Sequence, residues 1–277
     1  MRIIRVFPRR TNLTPTDNMA FVGWPPLDRP GADEVHISCT FTWDYALAQE
    51  LFQAWAHYYP DAHISIGGPA ICPDMSEFIP GRYVKQGVTF TTRGCNNNCK
   101  FCLVPDREGK LRELPIQAGN IINDNNLLQA SRGHIEKVFE MLKTQKAVVF
   151  AGGIQASLVD DWFADQLRGV SAREVFLACD TTWAINPLRK AVDKLDFLTR
   201  RQLRCYVLIG FNGETIEQAT ERLEAVWDAG CLPYTQLYQP PDRERIKYTP
   251  EWRALNRLWS WPAAMLANHK EIEELLR

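Results

Sequence analysis

The chain has 277 residues, with 32 Lys and Arg against 33 Asp and Glu and a formal net charge of −1. Hydrophobic residues make up 45% and charged residues 23%, a composition that excludes disordered and collagen-like classes; the length suits one large domain or a main domain with a smaller companion. Balanced charge gives no global attraction to nucleic acid or to an anionic lipid surface, so neither is indicated as a partner.

The opening apolar run is broken by Arg5 and Pro8 and is too brief for a signal peptide, and no window approaches the roughly 20 apolar residues that span a bilayer. A cytoplasmic protein with no membrane partner is expected. Eight cysteines in a long, unexported chain point to a metal site rather than to a disulfide framework.

No fixed-period repeat is present. Ile3 to Phe7 and Val35 to Cys39 read as buried strands, Pro25 to Pro30 as a loop, and Asp44 to Tyr59 as a helix with Leu47, Leu51, Trp55 and Tyr58 on one side. His63 to Ile66 reads as a strand closed by Gly67-Gly68-Pro69. Together they predict a small Rossmann-like α/β unit over residues 1–82. A second region, 83–240, begins with a strand at Val88 to Thr92 and continues with strands near 120–123, 147–151, 174–178, 203–209 and 234–238. Helical stripes separate them: Ile135, Val138, Phe139 and Leu142, then Leu188, Ala191, Val192 and Leu195. Thr215-x-x-Gln218 is a capping box, and Gly230 is placed to end the helix it opens. Six strands alternating with helices predict a parallel sheet, curled by right-handed crossovers into a partial (β/α)6, TIM-like barrel. The last segment, 241–277, carries Trp252, Leu255, Leu258 and Trp259 at helical spacing, an apolar face to pack on the barrel or to serve as a lid or dimer surface.

Cys95-x3-Cys99-x2-Cys102 follows the Val88 strand and Gly94. Three soft thiolates on one loop select zinc or iron–sulfur. A closed structural zinc site needs a fourth Cys or His. The nearest candidates, Cys72 and His134, are not close in sequence, so the set reads as an iron centre with one open position. Of the other cysteines, Cys39, Cys72, Cys205 and Cys231 read as small core residues, while Cys179, next to Asp180 at a strand end, is left between core and site. Arg200, Arg201 and Arg204 read as a solvated surface.

Thr92-Arg93-Gly94-Cys95-x3-Cys99-x2-Cys102, with Phe101 before the last cysteine, resembles the signature of the radical S-adenosylmethionine (radical SAM) superfamily, over roughly residues 83–240. The resemblance implies a radical SAM barrel in which Cys95, Cys99 and Cys102 hold a [4Fe–4S] cluster and SAM chelates the fourth iron. It also implies a 5′-deoxyadenosyl radical that takes hydrogen from a substrate, and an external one-electron reductant of the flavodoxin or ferredoxin kind. Phe101 would pack beside the adenine. Phe150 to Gln155 looks like the superfamily's Gly-Gly-Glu stretch, with Gly152 and Gly153 present and Ile154 and Gln155 where the acid is expected. Asp124, with Asn125, is the other candidate for the SAM ammonium; the run Asn123 to Asn126 also reads as a polar turn. Asp180 is expected at a ribose hydroxyl or a helix cap, Gly210 and Gly213 along the adenine, Glu214 at a helix dipole, and Gln239 near the cofactor.

Residues 1–82 resemble in outline the domain that precedes the barrel in cobalamin-dependent radical SAM enzymes. They lack its Asp-x-His-x-x-Gly motif, and His36 and His63 lie in strands, so a shortened relative that holds no cobalamin is expected. The motif order, with Thr40 to Asp44 and the Trp-rich tail, looks like small bacterial and phage radical SAM proteins. The substrate, a small molecule or a peptide, is not identified by the sequence, and no catalytic side chain is assigned. A cobalamin-dependent methylase and a non-catalytic iron–sulfur scaffold are the alternatives.

Overall fold

The structure is a computed structural model that describes residues 2–28, 30–71, 78–241 and 244–267. The chain forms two compact units. One comprises Met1–Val88 with Pro240–Arg245, and the other Thr89–Gln239 with Ile246–Arg277. The sequence places the first boundary at 82/83; the strand that begins at Val88 straddles the observed one. Cys72 lies outside the described residues.

The first unit contains β1 (Ile3–Phe7), β2 (Ala20–Val22), β3 (Glu34–Ser38), α1 (Tyr45–Tyr58) and β4 (His63–Gly67). The strands form a parallel sheet in the order β2-β1-β3-β4. Alternate side chains of a strand face opposite ways. Ile4 and Val6 of β1 and Val35 and Ile37 of β3 join Ala48, Leu51 and Trp55 of α1 in the core, while Arg5 and His36 face away from it. β2 escapes the sequence pattern because three residues are too few to show a period.

The second unit opens with β5 (Val88–Thr89), β6 (Thr92–Arg93), α2 (Val104–Glu108), β7 (Arg112–Glu113) and β8 (Ile121–Ile122). It continues with α3 (Arg132–Lys143), β9 (Val148–Gln155), α4 (Asp161–Arg168), β10 (Ala172–Ala178), α5 (Ile185–Lys194), β11 (Leu203–Ile209), α6 (Ile216–Asp228), β12 (Leu232–Leu237) and α7 (Pro250–Ser260). Six strands share one sheet, ordered β5-β8-β9-β10-β11-β12, and β8 through β12 are parallel. The protein is thus mixed α/β with parallel sheets.

The expected strand at Val88 to Thr92 is two strands in different sheets: β5 joins the large sheet, and β6 forms an antiparallel pair with β7. β9 runs four residues beyond its expected end, through Gly152-Gly153, and a register shift there sets Phe150 against Val175 but Ile154 against Leu177. The extra residues form a bulge that only a flexible backbone accommodates. Gly153 has φ +88°, and a Cβ on Gly152 would lie 1.7 Å from the Asp124 carbonyl oxygen.

The predicted helical faces close the core. Ile135, Val138, Phe139 and Leu142 of α3, Leu188 and Ala191 of α5, and Ala219, Leu223 and Val226 of α6 are buried together. Thr215 and Gln218 form the reciprocal capping box. In α7, Trp259 is buried in this core and Trp252, Leu255 and Leu258 pack against it. Among the described residues no helix is long and apolar enough to cross a membrane.

Candidate functional site: the three-cysteine loop

In a parallel sheet the carboxyl ends of the strands share one edge, where loops can converge. That edge gathers Asp124 and Asn125 after β8, Gln155 at the end of β9, Asp180 after β10 and Gly210 after β11. The cysteine loop, residues 94–111, leaves β6 and returns to β7, so a two-stranded pair clamps both its ends. Gly94 turns the chain with φ +81°, and a Cβ there would lie 2.2 Å from the Lys110 carbonyl oxygen. The Cys95 amide donates to Gly109 at 3.1 Å, and the Cys102 amide closes a turn onto the Cys99 carbonyl at 3.0 Å.

Two polar clusters tie this loop to the carboxyl edge. Glu108 of α2 accepts from the Gly94 amide at 3.1 Å, from Arg93 at 3.3 Å and from the Asn125 side-chain amide at 2.6 Å. Gln155 accepts at one oxygen from Asn97, Asn126 and Gln129 at 2.9, 2.8 and 3.3 Å. Gln129 in turn accepts from the Asn96 amide at 2.7 Å and donates to Asn97 at 3.0 Å. The neutral Gln155, standing where the resemblance expects an acid, thus holds Asn97 directly and Asn96 through Gln129. Glu108 and Gln129 carry no signal in the sequence, because their partners are 14 to 33 residues away.

All three loop cysteines are half-buried. Burial pushes Cys99 up, and the neighbouring Cys102 and Cys95 thiols and the Asp180 carboxyl push it further. Burial also raises Cys102, against an opposing hydrogen bond from the Val104 amide and with added repulsion from Cys95, Asp180 and Glu108. The three thiols therefore repel one another as thiolates, with Asp180 near two of them. Among the described residues no three His, Cys, Asp or Glu side chains are close enough to hold a single ion. Three soft thiolates on one loop are the donor type that zinc and iron–sulfur centres take. A bound cationic centre would offset the burial and the anionic neighbours that raise Cys99 and Cys102.

The remaining candidates divide. Phe101 packs edge-on against Phe211 with centroids 5.6 Å apart, and Phe211 packs on Tyr238. Asp180 accepts from the Leu208 amide at 2.9 Å through one oxygen; burial pushes its carboxyl up. Asp124 is 2% exposed, and its two oxygens accept from the Thr91 amide, at 2.6 Å, and the Thr91 hydroxyl, so its carboxyl is engaged inside the fold. Gly152 likewise serves the close approach of the Asp124 backbone.

The Gly210 amide donates to Glu214 at 2.8 Å, and its φ of +76° brings Tyr248 against it. Glu214 does more than complement a helix dipole. It pairs with the buried Arg222, which also donates to the Leu208 carbonyl at 2.8 Å. Gln239 accepts from the Ile246 amide at 2.8 Å.

His134 donates from Nε2 to the Thr91 carbonyl, 2.9 Å away, and its Nδ1 stands 3.6 Å from Glu113, a structural position. Cys179 is fully buried with its thiol pushed up to about 12 by burial, which makes it a core residue. Cys39, Cys205 and Cys231 are buried too. Arg204 corrects the expected solvated surface: it is 8% exposed, between the rings of Phe176 and Tyr234. In the first unit both ring nitrogens of His36 are engaged, with Glu34 at 2.7 Å and the Tyr83 hydroxyl at 2.6 Å.

No family model matches the chain, and no curated protein matches it.

Proposed function

We propose that the protein is a radical SAM enzyme, and that its six-stranded sheet is the wall of a partial (β/α)6 barrel. The observation that carries the reading is the Cys95-x3-Cys99-x2-Cys102 loop, pinned by Glu108 and Gln155 to the carboxyl edge of a parallel sheet. Sequential strand order, each strand neighbouring the next, supports the barrel. Cys95, Cys99 and Cys102 would hold a [4Fe–4S] cluster. When bound, the cluster supplies the electron that cleaves SAM to a 5′-deoxyadenosyl radical able to take hydrogen from a substrate.

The chain's own residues do the positioning. Glu108 and the amides of Asn96, Asn97, Gln129 and Gln155 hold the loop without adding cationic charge beside the thiolates. Phe101 and Phe211 give an apolar wall for a purine. The Asp180 oxygen not bound to Leu208 is available to a ribose hydroxyl. Gly153 supplies the positive φ of the bulge, and its Cα faces the Tyr206 ring. Asp124 and the Gly210 amide take no part as ligands in this proposal, being engaged within the protein.

Anaerobic reconstitution tests it. About four irons per chain and reductive formation of 5′-deoxyadenosine from SAM are expected. Loss of both in Cys95→Ala, Cys99→Ala and Cys102→Ala is expected; retention of both in all three overturns the reading. Iron without SAM cleavage would leave a structural iron–sulfur protein instead.

A further inference from the structure

The first unit contains a cavity of about 580 Å³, within the size range of small-molecule sites. It lies on the sheet face opposite α1, because Ile3 and Arg5 line it while the intervening Ile4 packs in the core. Its wall is a fixed structure. The Lys85 amide donates to the Leu13 carbonyl at 2.8 Å, and Arg5 donates to the carbonyls of Gly81 and Arg82 at 3.2 and 3.0 Å.

The charges on this wall do not balance. Arg5 is 8% exposed and pairs with Asp17, which neutralises one cation. Among the described residues its Nε is nevertheless buried without a hydrogen-bond partner, an unfavourable arrangement unless a ligand or water meets it. Arg82 and Lys85 also line the cavity, and among the described residues neither side chain has a hydrogen bond or ion pair. Among the described residues two uncompensated positive charges therefore remain beside the apolar surface of Ile3, Ile79 and Pro80.

We infer that this cavity binds a small organic phosphate, its phosphoryl group between Arg82 and Lys85 and its apolar part against Ile79. A phosphate monoester carries about two negative charges at neutral pH, which matches the unbalanced pair, and guanidinium and ammonium groups are the usual donors to its oxygens. The site lies wholly within residues 3–86 and is independent of the cysteine loop.

Calorimetry on the full chain at constant ionic strength tests the inference with phenyl phosphate as the probe. One saturable site is expected, weakened about tenfold or more by Arg82→Ala with Lys85→Ala. Because these two side chains make no internal bond, the variant should fold as the parent does. On the unaltered protein, affinity should fall between pH 7.5 and pH 5, since a phosphate ester takes up a proton near pH 6 and no histidine lines the cavity. Benzenesulfonate, a monoanion of the same shape, should bind more weakly at pH 7.5. Absence of saturable binding, equal binding by the double variant, or equal binding of benzenesulfonate overturns the inference. The Cys95→Ala, Cys99→Ala, Cys102→Ala triple variant should bind phenyl phosphate as the parent does, so failure here and failure of the iron–sulfur reading are separately visible.

Discussion

A carboxylate in a polar turn at a strand end looks free to meet a cation, and Asn123 to Asn126 reads that way in the sequence. The fold instead buries Asp124 against Thr91. Removing it strands the Thr91 amide without an acceptor, and a buried unpaired donor costs about 1–3 kcal/mol. Asp124→Ala is therefore expected to lower stability by about that amount in urea unfolding, with the cysteine loop still able to take up iron. Gly94→Ala acts the other way. Its Cβ would meet the Lys110 carbonyl at 2.2 Å in a left-handed backbone, so iron uptake should drop sharply. The cysteines offer a chemical check, since reactivity needs an accessible thiolate. Iron-free folded protein should be alkylated by iodoacetamide at Cys95, Cys99 and Cys102, with Cys39, Cys179, Cys205 and Cys231 protected until unfolding. Mass spectrometry of the digested chain reads the result.

Elements with a period were legible in the sequence, and those without one were not. The stripe Ile135, Val138, Phe139, Leu142 spans nearly a whole helix, and its burial follows from 3.6-residue geometry alone. β6 and β7 are two residues each, too short to alternate, and they exist because each supplies the other's backbone partner. The bulge in β9 is likewise a pairing event with β10. At α6 the capping box was readable, whereas the Glu214–Arg222 pair that buttresses the same helix was not, its members being eight residues apart across a turn. Their magnitudes differ accordingly. Thr215→Ala should cost about 1 kcal/mol, the usual worth of an N-cap. Glu214→Ala leaves the buried Arg222 charge unpaired and should cost about 3–5 kcal/mol. Thermal and chemical denaturation of the two variants side by side measures the gap.

At the scale of the molecule, α7 belongs with the second core, into which Trp259 is buried while Trp252 packs beside it. Trp259→Ala should destabilise that core by about 3–5 kcal/mol, which the unfolding midpoint reports. The alternation of strands and helices, the faces they bury and the spacing of Cys95, Cys99 and Cys102 depend on residues a few places apart, whose relations the backbone geometry sets, and so they are legible in the chain alone. Which polar groups are engaged and which are left open follows from folding: Asp124 closed onto Thr91, Gln155 gripping Asn97 across 58 residues, Arg204 between aromatic rings, and a cationic cavity behind β1. The reason is that a hydrogen-bonding side chain is satisfied by whatever partner folding brings within about 3 Å, and sequence separation says nothing about that choice.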